Sequence, residues 1–103
     1  MQREELKSKL RKVKISWQYV WDLLDKLLKE NPDYYLKELL FMYQVELDSH
    51  LRKIEVLEQK IKYEPIKLNE EEIFSADQLL SWMITDHQAK AIFIDNLLKS
   101  KPL

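Results

Sequence analysis

Two histidines are the only side chains in this 103-residue sequence whose position points to chemistry. His50 and His87 each lie in the middle of a hydrophobic stripe, at a place where an apolar residue is expected. If their segments are antiparallel helices joined near Pro65, the two histidines differ in height by about 6 Å and can approach each other. With acidic residues they would form the mixed nitrogen and oxygen ligand set of a metal-binding bundle. The acidic candidates are Glu46, Asp48 and Asp86.

The spacing favours a structural role for the histidines. The Glu-x-x-His pairs typical of di-iron bundles do not occur, and Asp86 and His87 are sequence neighbours, which point to different faces of a helix. We therefore expect neutral core histidines that hydrogen-bond to a carboxylate or to Tyr43, with no metal ligand and no cofactor. On this interpretation, His50→Leu is expected to stabilise the protein.

No pattern in the sequence indicates catalysis. The serines are scattered, and Ser49 and His50 point apart because they are adjacent on one helix, so no nucleophile has a base beside it. Cysteine is absent, which removes thiolate nucleophiles and most zinc sites. Glycine is also absent, which argues against phosphate-binding loops and nucleotide-binding motifs. We expect a protein that is not an enzyme.

A strip of basic residues near the N-terminus is the candidate anion-binding site. Its members are three or four residues apart and therefore share one helical face. Such a strip can bind the phosphates of nucleic acid. We expect it instead to lie near an acidic cluster at the start of the third helix, residues 70–77, which would neutralise most of its charge. The strip consists of Arg3, Lys7, Arg11 and Lys14.

The elements that position these residues are three hydrophobic stripes at near-heptad spacing. They predict helices over residues 3–30, 32–63 and 69–99, which pack as in a coiled coil. The breaks between them contain proline and are short, so neighbouring helices must be antiparallel. The sequence therefore predicts an all-α fold with one domain over residues 1–103, an up-down-up three-helix bundle.

Two places can start the third helix. Asn69 and Glu72 form the pattern of a capping box, in which each side chain bonds to the other residue's backbone N–H, with Leu68 and Ile73 as a hydrophobic staple. Ser75 begins a second segment with the same pattern. We favour one helix that starts at Asn69.

One end of the predicted bundle carries more apolar surface than a three-helix core can bury. Residues 34–45 are apolar nearly all round, whereas a helix that serves one core has an apolar face about 100° wide. The third helix has an additional ridge with steps of seven and four residues. We therefore expect the chain to associate through this surface, with a homo-oligomer favoured over a complex with another protein. The predicted partner-binding residues are Tyr34, Tyr35, Phe41, Val45, Trp82, Ala89 and Phe93.

The composition favours a folded chain, with 46% hydrophobic and 34% charged residues. The longest apolar run, residues 39–43, is far shorter than the ~20 residues of a membrane span. We expect a cytoplasmic protein that does not bind membranes. The preferred function is a non-enzymatic helical protein–protein interaction module, an adaptor, inhibitor or chaperone-like subunit. The alternatives are a nucleic-acid-binding accessory protein that uses the basic strip and a metal-binding helical bundle.

Overall fold

The computed structural model describes residues 3–30, 34–65 and 67–99, apart from the side chains of Tyr34 and Tyr35. It contains three helices: α1 (Arg3–Glu30), α2 (Tyr34–Lys62) and α3 (Glu70–Lys99). The described residues contain no strand. The prediction of an all-α three-helix bundle is confirmed. The first of the two proline-containing breaks, at Asn31-Pro32, lies outside the described residues.

The helices run up, down and up in a rod of 55 × 19 × 17 Å. The start of α1 lies beside the end of α2, where Arg3 donates to the carbonyl oxygen of Ile61. The start of α1 also lies near the start of α3, because Lys9 forms an ion pair with Asp77. Helix α2 is therefore antiparallel to both of its neighbours.

The predicted stripes form the core, because their residues are the ones that face inward on all three helices. Full burial of a Leu or Ile side chain contributes about 1.5–3 kcal/mol, so these stripes carry most of the stability of the bundle. The core has two apolar clusters. The first contains Leu6, Leu10, Val13, Ile54, Ile61, Ala76, Leu80 and Met83. The second contains Val20, Leu24, Leu27, Leu40, Leu47 and Ile94.

The start of α3 is the predicted capping box. Asn69 Oδ1 accepts from the backbone N–H of Glu72 at 2.7 Å, and Glu72 Oε1 accepts from the N–H of Asn69 at 3.3 Å. The N–H of Ile73 donates to the carbonyl of Asn69, which is the first hydrogen bond of the helix. Leu68 and Ile73 are partly buried against the first core cluster. Ser75, the competing start, is an exposed residue inside α3.

The three helix pairs do not pack equally. Helix α1 packs closely against α3 and, less extensively, against α2, while α2 and α3 approach each other at only a few points. Trp17 supports the α1–α2 contact, since its Nε1–H donates to the carbonyl oxygen of Leu47 at 2.7 Å. A groove therefore separates α2 from α3.

Candidate functional site

The two histidines meet where α2 and α3 come together. His50 Nδ1 lies 3.0 Å from His87 Nε2, and both side chains are buried. On its other side, His87 Nδ1 lies 2.8 Å from the hydroxyl oxygen of Ser16 on α1. The ring of Trp82 packs edge-on against His50 with centroids 5.3 Å apart. A chain of polar groups therefore crosses the core between its two apolar clusters and joins all three helices.

The hydrogen bonds assign the protons in this chain. The Ser16 hydroxyl donates to the carbonyl oxygen of Val13 at 2.9 Å, so its oxygen is left to accept from Nδ1–H of His87. The Nε2 atom of a neutral His87 is then an acceptor, and Nδ1–H of His50 donates to it. The arrangement requires a neutral His87, and burial favours a neutral His50 as well.

A buried lysine lies one helical turn from the histidines. The side chain of Lys90 is only 7% exposed, and its Nζ contacts Asp86 on the same helix and Glu46 on α2, the latter at 2.7 Å. The ammonium also lies over the ring of Tyr43, 5.1 Å from its centroid, in a cation–π contact. Glu46 and Asp86 thus serve as counterions for a cation that connects α2 to α3.

Burial lowers the pKa of both histidines, whereas ion pairs raise the pKa of Lys90. Burial and, to a lesser extent, repulsion between two positive rings at His50 and His87 together lower the pKa of His87 to about 4. Burial also lowers the pKa of His50, although Asp86, 3.9 Å away, partly opposes this shift. Burial alone would lower the pKa of Lys90, but its hydrogen bonds to Asp86 and Glu46 outweigh that effect and raise it.

The expected approach of the histidines is confirmed, whereas their partners differ from the expected ones. We predicted a carboxylate or Tyr43 as the hydrogen-bond partner, but the rings bond to each other and to Ser16. Neither Ser16 nor Lys90 was identified from the sequence. The spacing of Lys90 could have indicated its burial, since it lies seven residues after the buried Met83 in the stripe of α3. Nothing in the sequence could have indicated the role of Ser16, because a half-buried serine beside a stripe is common.

The geometry also bears on metal binding. Within residues 3–30, 34–65 and 67–99, no three His, Cys, Asp or Glu residues are grouped so that they could hold a metal ion. Of the three predicted carboxylates, Glu46 and Asp86 surround the Lys90 ammonium, and Asp48 is exposed. The metal-binding alternative therefore has no ligand set in this part of the chain.

The basic strip faces α2 rather than the start of α3, which corrects the expected arrangement. Arg3 Nη1 donates to the carbonyl oxygens of Ile61 at 2.8 Å and Tyr63 at 3.0 Å, at the C-terminal end of α2. Lys7 pairs with Glu64 at 3.0 Å and Lys14 pairs with Glu58 at 2.7 Å, both across to α2. Lys7 also pairs with Glu4 on its own helix at 3.3 Å, while Arg11 is exposed. The acidic cluster contributes through Asp77, which binds Lys9, a residue outside the strip.

This difference follows from the helix dipole. Cations are stabilised near the C-terminal end of a helix, where backbone carbonyls have no partner within the helix. The end of α2 lies beside the start of α1 in an antiparallel pair, so Arg3 caps it. Three of the four residues of the strip are therefore already engaged within the chain.

The predicted partner-binding residues are exposed wherever the structure describes their side chains. Phe41, Val45 and Trp82 are 64%, 54% and 55% exposed, and Ala89 and Phe93 are also exposed. The side chains of Tyr34 and Tyr35 lie outside the description. Exposed apolar residues are not confined to the predicted end, however. The other half of the rod carries Ile15, Val56, Tyr63 and Phe74.

Several of these exposed residues flank the groove between α2 and α3. We define the α2–α3 face as the two helix surfaces that border this groove. On α3 it carries Trp82, Ala89 and Phe93, and the first and last of these contact rings of α2. On α2 it carries Met42 and Val56, which lie one turn before Glu46 and Lys60, two residues that border the groove. Near the α2–α3 connection, the groove widens into a cavity of about 310 Å³. Leu57 and Leu79 line it with apolar surface, while Lys60 and Glu71 lie on opposite rims.

No helix within the described ranges is long and apolar enough to cross a membrane. Comparison of the chain with protein-family models, with curated proteins and with solved structures found no match.

Proposed function

We propose that this protein is a non-enzymatic helical interaction module that binds a partner protein through the α2–α3 face. The observation that carries the proposal is the exposure of large apolar side chains along a groove between two helices that barely contact each other. Exposed apolar surface is typical of protein-binding sites, and aromatic residues and methionine are typical anchors in them.

The shape of the groove favours a helical partner. An amphipathic helix that lies between α2 and α3 would bury its apolar face against Val56 and Trp82, and would complete a four-helix arrangement with coiled-coil-like packing. Such binding suits an adaptor, an inhibitor or a chaperone-like subunit, because none of these roles needs reactive groups at the surface.

The polar chain beneath the face supports the proposal by keeping the groove in place. The His50–His87 and Glu46–Lys90 contacts tie α2 to α3 at two adjacent heights. Buried polar contacts of this kind need defined geometry, and they can therefore fix the register of neighbouring helices. A partner would meet a surface that is already shaped for binding.

A matched pair of charge insertions tests the proposal. Val56→Glu places a carboxylate on the α2–α3 face, whereas Ile15→Glu places one at a similarly exposed apolar site on α1. Each purified variant is used to capture proteins from cells of the source organism, and the captured proteins are quantified by mass spectrometry. Circular dichroism checks that the helical content is retained.

We expect the wild type and Ile15→Glu to retain at least one partner that Val56→Glu loses by tenfold or more. If the three proteins capture the same set in the same amounts, the α2–α3 face is not the binding site and the proposal is wrong.

A further inference from the structure

We propose that helix α2 is a pH-sensitive gate, which separates from α3 when His87 takes up a proton, while α1 and α3 stay packed together. The proposal goes beyond the proposed function, because the gate is a property of the chain itself. Three observations support it: the direction in which His87 faces, the unequal packing of the helices and the charges around the histidine pair.

The Nε2 atom of His87 is the nitrogen that gains a proton in acid, and it faces α2. In the neutral ring it accepts from Nδ1–H of His50 at 3.0 Å. A proton on Nε2 sets two N–H donors against each other with no acceptor between them. The other nitrogen, Nδ1, carries a proton in both states and keeps its hydrogen bond to Ser16 on α1. Protonation therefore breaks a link to α2 and spares the link to α1.

The packing of the helices makes α2 the element that moves. Helix α1 packs closely against α3, whereas α2 packs less extensively against α1 and approaches α3 at only a few points. Segments with little packing open locally while the rest of a protein stays folded. Once the histidine bond is lost, the polar link from this part of α2 to α3 is the ion pair Glu46–Lys90, in which the Glu46 side chain is 47% exposed.

The gate is closed most of the time at neutral pH, because α2 contributes apolar side chains to both core clusters. Leu40, Leu47, Ile54 and Ile61 are fully buried, and they become exposed when α2 leaves its neighbours. The open form is therefore a minor state. Protons raise its population because they bind it better than the closed form.

The surroundings of the histidine pair explain this difference in proton affinity. On α1, the neighbour of His87 is the uncharged hydroxyl of Ser16. Among the described residues, the charged groups that face the pair have both signs: Glu46 and Lys53 on α2, and Asp86 and Lys90 on α3. The carboxylates raise the pKa of the rings that they face and the lysines lower it, and burial exceeds these opposing effects.

The sign of the pH dependence follows. The pKa of His87 is about 4 while the gate is closed, against 6.5 for an exposed histidine. Between these values the open state binds more protons, so the ratio of open to closed molecules rises as pH falls. The expected rise from pH 7 to pH 5 is about twentyfold for His87 alone.

An open gate also divides the α2–α3 face, because the face needs both helices side by side. A partner bound there would be released in acid. This consequence rests on the proposed function, whereas the gate itself does not. A test on the free chain therefore decides on the gate alone, and capture of a partner at neutral pH decides on the face.

Hydrogen exchange of backbone amides, followed by NMR on the free chain at pH 7 and pH 5, tests the gate. A helix that leaves its neighbours loses the packing that stabilises it, so its amides then exchange with water. Opening equilibria in residues 47–54 of α2 are compared with those in residues 10–24 of α1 and 80–94 of α3.

Two variants separate the histidines from the other link between α2 and α3. His50→Leu/His87→Leu removes both titrating rings and keeps the Glu46–Lys90 pair. Glu46→Gln is the matched control, because it weakens that ion pair and keeps both histidines, while Lys90 retains Asp86 as a counterion.

We expect the α2 amides of the wild type to open about twentyfold more often at pH 5 than at pH 7. At pH 5 they should open at least about tenfold more often than the amides of α1 and α3. His50→Leu/His87→Leu should lose the dependence on pH. Glu46→Gln should open α2 more often at both pH values and keep the ratio between them.

Two results overturn the gate. If the amides of all three helices open equally often at pH 5, the whole bundle unfolds and α2 does not move by itself. If His50→Leu/His87→Leu keeps the twentyfold ratio, groups other than the histidines sense the pH.

Discussion

His50 Nδ1 on α2 lies 3.0 Å from His87 Nε2 on α3, in a hydrogen bond between two buried rings. The bond connects the two helices that approach each other least closely, so a polar contact links α2 to α3 where the backbones are too far apart for extensive packing. It requires an unprotonated Nε2 on His87, because a proton there would place two N–H donors face to face. The contact between α2 and α3 is therefore sensitive to pH.

The first prediction is that acid destabilises the bundle through this pair. The pKa of His87 is about 4 in the folded protein, against 6.5 in an unfolded chain. Between these values the unfolded state binds more protons, so the free energy of unfolding falls as pH falls. Stability is complete above pH 6.5, and the loss from His87 alone is about 2 kcal/mol at pH 5. Urea unfolding at pH 7.5, 6.5 and 5 measures it.

Other charges near the pair do not reverse this sign. Asp86 raises the pKa of both rings, Lys90 and Lys53 oppose it at His50, and Glu46 has a small raising effect there. Burial exceeds all of them. If the free energy of unfolding is the same at pH 7.5 and pH 5, the pair is not buried as a neutral unit.

The second prediction concerns single and double replacement of the histidines. The sequence alone suggested that His50→Leu stabilises the bundle, but the structure reverses this expectation because His87 Nε2 would lose its donor. An unsatisfied buried polar atom costs about 1–3 kcal/mol. The double variant His50→Leu/His87→Leu removes both partners, and Ser16 still donates to Val13. We expect it to exceed His50→Leu in stability by at least about 1 kcal/mol at pH 7.5, with little dependence on pH between 7 and 5.

Equal stability of the single and double variants would contradict the hydrogen bond between the rings. Thermal and urea unfolding of the wild type and the two variants, at pH 7.5 and pH 5, complete the comparison.

The third prediction concerns the effect of Lys90 on the pKa of His50. Lys90 lowers the pKa of both rings by repulsion and also neutralises Asp86. In Lys90→Met, Asp86 keeps its negative charge beside His50, so the pKa of His50 should rise. Lys53→Met is the control, since Lys53 also lowers the pKa of His50 but is exposed and contributes less. NMR titration of the imidazole protons measures the pKa of His50 in the two variants. An unchanged pKa of His50 in Lys90→Met would contradict the effect of Lys90 on His50.

The fold followed from the sequence because its determinants are local and periodic. The three stripes, one on each helix and including Leu24, Leu47 and Leu80, define which face of each helix is buried. Asn69 defines where α3 begins. Periodicity does not report the distance between two helices, however. The groove between α2 and α3 therefore had no signature in the sequence.

The site was harder to predict than the fold because long side chains bind residues of other helices, and those contacts depend on how the helices pack. Lys90 was not identified from the sequence, because spacing along α3 does not show that its flexible side chain reaches carboxylates on two helices. Arg3 and Lys14 were expected near α3, but the carbonyls and Glu58 at the end of α2 lie closer. Spacing along one helix shows on which face of the helix a cationic side chain lies. It does not show which residue of a neighbouring helix that side chain binds.

The fourth prediction concerns nucleic acid. Because Lys7 and Lys14 are paired with Glu64 and Glu58, we expect weak, non-specific DNA binding at physiological salt. The variant Glu58→Gln/Glu64→Gln removes the ion pairs of both cations with α2, although Lys7 keeps its pair with Glu4, and should bind DNA more tightly, with a steeper salt dependence. A variant with the same change in net charge, in which Glu55 and Glu70 become Gln, should show a smaller increase. Nanomolar binding by the wild type in fluorescence anisotropy would contradict the pairing.

The last prediction separates the two candidate starts of α3. Asn69 Oδ1 accepts from the N–H of Glu72, so Asn69→Ala removes a partner from one of the free N–H groups in the first turn. Loss of such a cap costs about 1 kcal/mol. Ser75 has the same sequence pattern but is an exposed residue within the helix, where Ser75→Ala should change stability by no more than about 0.5 kcal/mol. Urea unfolding at pH 7.5 measures both. If Ser75→Ala is the more costly change, α3 begins at Ser75 in solution, and residues 70–74 then form a separate turn over the cavity between α2 and α3.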